Sequence, residues 1–511
     1  MYLTRLRNQP IPTSMTNSAT IIRLINSLSA SEKRHFRLTT QKQAGAKDYL
    51  TLYDIIEKSH PGETDVKKVG EAFSKKQPGA SIEATSKYLI KLVTDCLIEL
   101  KTEKDNEFNL YRRLLRVKIL QERSLPAAAN KELKKLRDRS TALQHHLMQY
   151  LTFRLELNQL SDQRFPGITD DYLVETQMKA KEILRMVHNI EGHYSLYELL
   201  KYRLIHLGKI VSDTEKRKLN DLLLSEISLV TGKVKNTFES RKLHLLFQSF
   251  YFTDIADHRS ALQSFNELNR LFEKYPDLHD HPPTDYFSAL DGILDVLRMV
   301  KKFDQVPFYI DKLQNINTSS SPEYFRYLLQ KTVAIYELAV LVGSGEYAAA
   351  IDYIDKIDPQ VLKAYHLVNI EKQTELYFYC GLAYFGKKQY KKAHKYIEAA
   401  MTDNRQHAQE AISKAVRLLN IIIYYEIKDF DYLQYQIRSY MRFSKQQGGL
   451  TKTEKLVLKT FQLKPYNNSS PKNRMLFEKL TGAIDSIRND KYADQLIKYF
   501  DFVEWVEMKF R

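Results

Sequence analysis

The chain is poor in the residues that build turns and covalent cross-links. Its 511 residues include only 16 glycines, 14 prolines and 2 cysteines. Scarce glycine and proline argue against a turn-dense all-β fold. Two cysteines, Cys96 and Cys380, are too few for a disulfide scaffold or for a zinc site built from cysteine. The composition therefore favours an all-helical protein of a reducing compartment.

Long apolar runs are also missing. The longest candidate, Leu418 to Tyr425, is interrupted by Asn420 and is far shorter than the roughly 20 residues of a membrane-spanning helix. The N-terminal residues lack the apolar core of a secretory signal. We expect residues 1–16 to be an unstructured leader, with Met15 as an alternative start. We also expect a cytoplasmic protein with no membrane contact.

Motifs of common enzyme chemistries are absent from the sequence. It contains no phosphate-binding P-loop, no Gly-x-Gly-x-x-Gly, no His-Glu-x-x-His and no Gly-x-Ser-x-Gly. The closely spaced His279 and His281 in a proline-rich loop are more typical of exposed histidines than of a metal site. We therefore expect no catalytic residues, no cofactor and no metal, and we predict that the protein is not an enzyme.

Positive charge is concentrated in the N-terminal third. The formal net charge is +16, and Tyr111 to Thr141 holds ten Lys and Arg against three Asp and Glu. Four arginines lie there on neighbouring helical faces: Arg112, Arg113, Arg116 and Arg123. A basic stripe of this kind can contact nucleic acid. It is more typical of the solvated face of a long helix, and in that favoured interpretation the core residues are Leu114, Leu115, Val117 and Leu120.

Residues 17–105 have the pattern of an N-terminal helical domain. Apolar residues recur at helical spacing from Ile21 to Leu28, and Ser29 with Glu32 forms a capping-box pattern at the next helix start. Further helices are predicted at about 47–59, 65–76 and 83–102. Thr85 to Ile98 is a weak candidate for a recognition helix. Residues 106–235 are predicted as long amphipathic helices, either separate or an early part of a repeat array.

From residue 240 onward the sequence repeats itself. Five segments share an aromatic or His residue at a turn, at spacings of 45, 44, 43 and 40 residues: His258, Phe303, Tyr347, Tyr390 and Phe430. A small or apolar residue follows three positions later in each: Ala261, Val306, Ala350, Ala393 and Leu433. A large apolar residue comes four further on: Phe265, Ile310, Ile354, Ile397 and Ile437. Such regularity indicates stacked helical hairpins.

One unit resembles a tetratricopeptide repeat. Residues 374–407 carry the family's aromatic, glycine and alanine positions, namely Tyr377, Cys380, Gly381, Tyr384, Tyr390, Ala393, Ile397 and Ala400. The resemblance implies that Gly381 lets two helices approach closely and that Ala393 lies at their crossing. The segment 331–357 is similar in its second half but has Leu338 in place of the glycine. The remaining units share only the hydrophobic pattern.

The resemblance also implies a binding groove along the first helix of each unit. Its predicted residues are mostly apolar: Leu246, Phe250, Ile335, Phe378, Leu382, Leu418 and Ile422. The second unit contributes an acidic pair, Asp291 and Asp295, and the basic clamp of some family members is absent. An apolar groove fits a docked helix or extended peptide. The alternative is that the chain fills this groove itself.

The resulting fold prediction is an all-α, right-handed α-solenoid of tetratricopeptide-like hairpins. The N-terminal helical domain at 17–105 precedes the helices of 106–235, repeats at 236–445 and a helical cap at 446–511. Leu463 to Arg474 is predicted as a loop, and Leu496 to Phe510 as one amphipathic helix. The favoured function is a scaffold that binds a protein or peptide. The alternative is a regulator whose basic N-terminal domain contacts nucleic acid.

Overall fold

The computed structural model describes residues 16–41, 48–59, 65–206, 213–231, 237–280, 282–318, 321–362, 370–402, 411–446, 449–461, 471–490 and 496–510. These residues form helices and connecting turns, and no β-strand occurs among them. The all-helical prediction is therefore confirmed for this part of the chain. Residues 1–15 of the predicted leader lie outside the described residues.

The first five helices enclose a small core of their own. Ile21, Ile25, Tyr53, Phe73 and Leu89 are among its buried members. The predicted capping box is confirmed, since the Ser29 backbone N–H donates to Glu32 at 2.7 Å and the Glu32 N–H donates back to Ser29 Oγ at 3.3 Å. The helices are α1 Asn17–Ser27, α2 Ala30–Gln41, α3 Asp48–Lys58, α4 Val66–Lys76 and α5 Ile82–Lys104.

The next helices follow a regular arrangement that the sequence did not disclose. Helices α6, α7 and α8 have 17 residues each, and chain neighbours pack against one another from α5 to α9. Ser124, Gln144 and Arg164 close the three turns with positive φ angles of 56°, 50° and 60°. The helices of this stretch are α6 Asn106–Glu122, α7 Pro126–Ala142, α8 His146–Asp162, α9 Asp170–His206, α10 Asp213–Arg217 and α11 Asn220–Val230.

The repeat region forms helix pairs that match the predicted spacing. The predicted aromatic or His residues begin the second helix of four units, while Phe303 begins a short 3-10 turn, Phe303–Gln305, before α15. First helices of successive units contact each other in the order α12, α14, α16, α19, α21. The helices are α12 Phe238–Asp254, α13 His258–Lys274, α14 Thr284–Met299, α15 Val306–Gln314, α16 Glu323–Gly343, α17 Tyr347–Lys356, α18 Pro359–Leu362, α19 Ile370–Gly386, α20 Tyr390–Thr402, α21 Ala411–Ile427 and α22 Phe430–Gln446.

The close approach expected at Gly381 is present. A Cβ atom added there would lie 2.7 Å from Ile397 Cδ1 and 3.5 Å from the Ala393 carbonyl oxygen. Ala393 and Ile397 are themselves fully buried. A side chain at position 381 would therefore push α19 and α20 apart.

The turns of the repeat units share one left-handed residue after the first helix. It is glycine only at Gly345, and the other four are Ala256, Lys301, Lys388 and Lys428. In each turn the backbone N–H of the residue after the left-handed one donates to a carbonyl oxygen in the last turn of the first helix. For example, the Glu346 N–H donates to Leu341 O at 2.8 Å. This is the Schellman pattern that satisfies the free carbonyls of a helix end.

Gly345→Ala is expected to lower the free energy of unfolding by about 1 kcal/mol, because φ at this residue is +77° and L residues are strained there. No atom lies within 4 Å of the added Cβ, so backbone strain alone is measured. Gly482→Ala, which meets nothing either but lies inside a helix, should raise stability instead. Urea unfolding compares the two variants. Equal changes in the free energy of unfolding for the two variants would contradict the left-handed conformation of Gly345.

Two predictions for the C-terminal region are wrong in detail. Helix α24 begins at Pro471, so Pro471 to Arg474 are helical; the rest of that predicted loop, Leu463 to Ser470, lies outside the described residues. Residues 496–501 form turns, and the last helix begins only at Phe502, where Asp501 Oδ1 accepts from the Glu504 N–H at 2.9 Å. Asp501 thus caps that helix. The final helices are α23 Lys452–Thr460, α24 Pro471–Arg488 and α25 Phe502–Phe510.

Candidate functional site

The first helices of the five repeat units contact one another in succession, and we call the side that they form the first-helix face (α12, α14, α16, α19 and α21). All seven residues predicted to line a binding groove belong to it, and none is more than 9% exposed. Leu246 and Phe250 lie in the core, where Phe250 contacts the rings of Tyr197 and Phe265. As the chain is folded here, the seven side chains are not accessible to a partner.

The chain's own C-terminal segment (residues 496–510) covers much of this face. Its residues reach partners up to 203 positions earlier, since Lys498 Nζ lies 3.2 Å from Asp295 Oδ2. Ring contacts join Tyr499 to Phe378 (6.2 Å between centroids), Phe500 to Phe385 (6.3 Å) and Trp505 to Tyr425 (6.0 Å). On α14, α19 and α21 the chain itself therefore occupies part of the predicted groove.

A network of buried charges lies beneath the C-terminal segment. Arg298 is its centre: the guanidinium donates to the carboxylates of Asp295 and Glu375 and, at 3.1 Å, to the Tyr379 hydroxyl. Its carbon also lies 5.3 Å from the ring centroid of Tyr499. Ion pairs of this kind are stable in a protein interior only when every member is well paired.

A second buried pair adjoins this network. Lys372 Nζ donates to Asp291 Oδ1 at 2.7 Å, and the Tyr336 hydroxyl donates to the same oxygen at 2.8 Å. The acidic pair recognised in the sequence, Asp291 and Asp295, thus lies on the first-helix face as expected. Its function here is to pair with buried cations of the same chain.

The charges fix the ionisation of the network. Burial raises the pKa of Asp295, but the Lys498 ammonium and the Arg298 guanidinium lower it more, and the net pKa is well below its usual range. Burial lowers the pKa of Arg298, yet Tyr379, Glu375 and Asp295 together hold it well above its ordinary value. Both groups are therefore charged at neutral pH.

A small cavity of about 40 Å³ lies beside Asp291, Asp295 and Lys498. That volume accommodates about three water molecules. It is far below the roughly 300 Å³ at which small-molecule sites usually begin. The cavity therefore fits hydration of the charge network.

The two cysteines are both buried. Burial raises the pKa of both thiols, Cys96 and Cys380, which disfavours the reactive thiolate. Across the described ranges, no three His, Cys, Asp or Glu side chains are placed to hold a metal ion.

The basic stretch forms a second surface of interest, on α6. Arg116 and Arg123 are exposed, Arg112 is partly exposed, and Arg113 pairs with Glu132 at 3.3 Å. Three apolar residues at four-residue spacing also face solvent on this helix: Tyr111 is 47% exposed, Leu115 61% and Ile119 55%. We call these three residues the α6 stripe.

One core prediction for α6 is wrong. Val117 is fully buried, and Leu114 and Leu120 are partly buried, but Leu115 faces solvent. The apolar residues on either side of Leu115 predict a core position for it. Its four-residue spacing from Tyr111 and Ile119 was the available signal, because that spacing places all three on one helix face.

Comparison with known proteins gives no family. Neither models of known protein families nor curated protein sequences match this chain. Within the part of the chain that is described, no helix combines the length and the apolar character needed to cross a membrane.

Proposed function

We propose that this chain is a non-enzymatic, cytoplasmic helical-repeat scaffold that binds a partner protein. In this proposal its helix pairs form a right-handed, tetratricopeptide-like α-solenoid, which the regular units of 40 to 45 residues support. The repeats supply a rigid frame. The helices of 106–206 extend that frame and carry the surface for the partner.

The observation that carries the proposal is the exposure of the α6 stripe. Large apolar side chains aligned on one solvent-facing helix side are typical of a protein contact surface. The first-helix face is the less favoured surface, because the C-terminal segment already covers it. A partner there would have to displace Trp505, Phe502 and Val506, which are all buried.

The alternative function is contact with nucleic acid, which would use the same helix, α6. Exposed Arg116 and Arg123 favour it, since arginines of this kind bind phosphates. The apolar residues beside them disfavour it, because Leu115 and Ile119 offer a phosphate backbone neither charge nor a hydrogen bond. A protein partner uses both kinds of side chain.

Affinity capture from native cytosol with the full chain tests the function. We expect a discrete protein that is retained after nuclease treatment and that is lost with the double variant Leu115→Ser and Ile119→Ser. Leu224→Ser, a residue 68% exposed on α11, is the matched control and should retain the partner. Recovery of nucleic acid, or of proteins lost on nuclease treatment, would favour the regulator instead. Capture of nothing would contradict the scaffold.

A further inference from the structure

The α6 stripe occupies the side of its helix that is opposite the core. At about 100° per residue, Tyr111, Leu115 and Ile119 fall within an arc of roughly 80°. The buried residues Leu110 and Val117 fall on the other side of the helix. The stripe is thus a separate apolar surface and not a loosely packed edge of the core.

Basic side chains flank the stripe on both edges. The same helical spacing puts Arg112, Arg116 and Arg123 along one edge and the exposed Lys118 along the other. Complementary charges at an interface of this kind accelerate association and select the partner.

Acidic side chains mark the two ends of the stripe. Glu107 and Glu122 are both exposed, and Glu107 Oε1 accepts a hydrogen bond from the Tyr111 hydroxyl at 3.3 Å. They lie 15 residues apart, so they bound a surface about 22 Å long, or roughly four helical turns. The surface is therefore apolar along its middle, positive along its edges and negative at its ends.

We propose that the α6 stripe binds an acidic amphipathic helix of a partner protein. The apolar face of that helix packs on Tyr111, Leu115 and Ile119, and its flanking Asp and Glu residues pair with Arg112, Arg116, Arg123 and Lys118. The inference rests on the proposed scaffold function and names the chemistry of the partner. Side chains three and four positions apart on a docked helix match the four-residue spacing of the stripe.

Nucleic acid and an anionic membrane fit this surface less well. Both present continuous negative charge, which Glu107 and Glu122 would repel at the two ends of the stripe. A helix about four turns long, by contrast, can carry its acidic residues beside the arginines and none at its ends. Basic residues near its ends can then face Glu107 and Glu122.

The test measures binding of a fluorescent peptide to the full chain. The probe is a designed peptide of about four helical turns, with leucine at i, i+3, i+4 and i+7, lysine at each end and glutamate elsewhere; a scrambled peptide of the same composition controls for charge alone. We expect the amphipathic peptide to bind at least about tenfold more tightly than the scrambled one. Leu115→Ser with Ile119→Ser should remove that difference, because the altered surface then attracts both peptides by charge alone.

Charge reversal tests the other half of the surface. Arg116→Glu with Arg123→Glu should weaken the amphipathic peptide at least about tenfold and reduce the dependence of its affinity on salt. Arg185→Glu with Arg270→Glu is the matched control, since it reverses two charges at exposed residues on other helices, and it should leave binding unchanged. Circular dichroism verifies that each variant keeps its helicity.

Three outcomes would overturn the inference. They are equal binding of the two peptides, an unchanged affinity in the Ser variants, and displacement of the peptide by a thymidine oligonucleotide or by phosphatidylserine vesicles. The scaffold function fails separately, when affinity capture yields no protein. If the Leu115→Ser and Ile119→Ser variant still captures the protein, the chain is a scaffold that binds its partner through another surface. The α6 stripe is then rejected as the binding site.

Discussion

Replacing Arg298 with methionine is expected to lower the free energy of unfolding by about 3–5 kcal/mol. The guanidinium is almost fully buried and serves Asp295, Glu375 and Tyr379 together. Methionine fills much of the same space but leaves Glu375 inside the protein without that guanidinium. Asp295 is affected less, because Lys498 remains beside it.

Urea unfolding followed by circular dichroism measures this loss, and an exposed arginine provides the control. Arg326 pairs with Glu323 at 3.1 Å and is 50% exposed, so Arg326→Met should cost less than about 1 kcal/mol. Adding Glu375→Gln to Arg298→Met should recover part of the stability, because the stranded carboxylate is neutralised. A cost for Arg298→Met no larger than that of the control would show that water replaces the guanidinium.

The sequence predicted the repeat units well because their signal is local. An aromatic or His residue starts each second helical stretch, and small or apolar residues follow at fixed distances that a helix pair requires. Ala261, Ala350 and Ala393 are fully buried in the structure, as a close helix crossing demands. Spacing along the chain was sufficient to find these positions.

The regular helices of 106–162 escaped prediction because no glycine stands at the left-handed position that follows each of them. Ser124, Gln144 and Arg164 adopt left-handed backbone angles that usually signal glycine. Without glycine at these positions, the sequence predicts long amphipathic helices here but does not give the bounds of the three 17-residue helices. The backbone bonds of each turn, such as His145 N–H to Ser140 O at 2.9 Å, stabilise the conformation despite the side chain.

The charge network was beyond sequence reasoning for a different reason. Arg298 and Glu375 are 77 residues apart, and Lys498 is 203 residues from Asp295. Such distances leave no pattern in a single sequence, because only tertiary packing brings the groups together. The sequence did place Asp291 and Asp295 on the correct face, but nothing in it assigned their cations.

Phe378→Asp is expected to prevent the repeat region from folding, which is the largest effect predicted for a single substitution. Phe378 is fully buried, and its ring contacts Tyr499 of the C-terminal segment. Removal of a buried Phe side chain alone costs about 3–5 kcal/mol. A carboxylate at that position adds several kcal/mol of desolvation, which together exhausts the stability of an ordinary domain.

The outcome of this variant also decides how firmly the C-terminal segment covers the first-helix face. Phe308→Asp is the control, because Phe308 is 60% exposed and a charge there should change the melting temperature little. Thermal unfolding by circular dichroism and gel filtration compare the two. Native helicity and melting in Phe378→Asp would mean that the new carboxylate reaches water, and hence that the segment leaves the face readily. The first-helix face, and not α6, would then become the favoured surface for a partner.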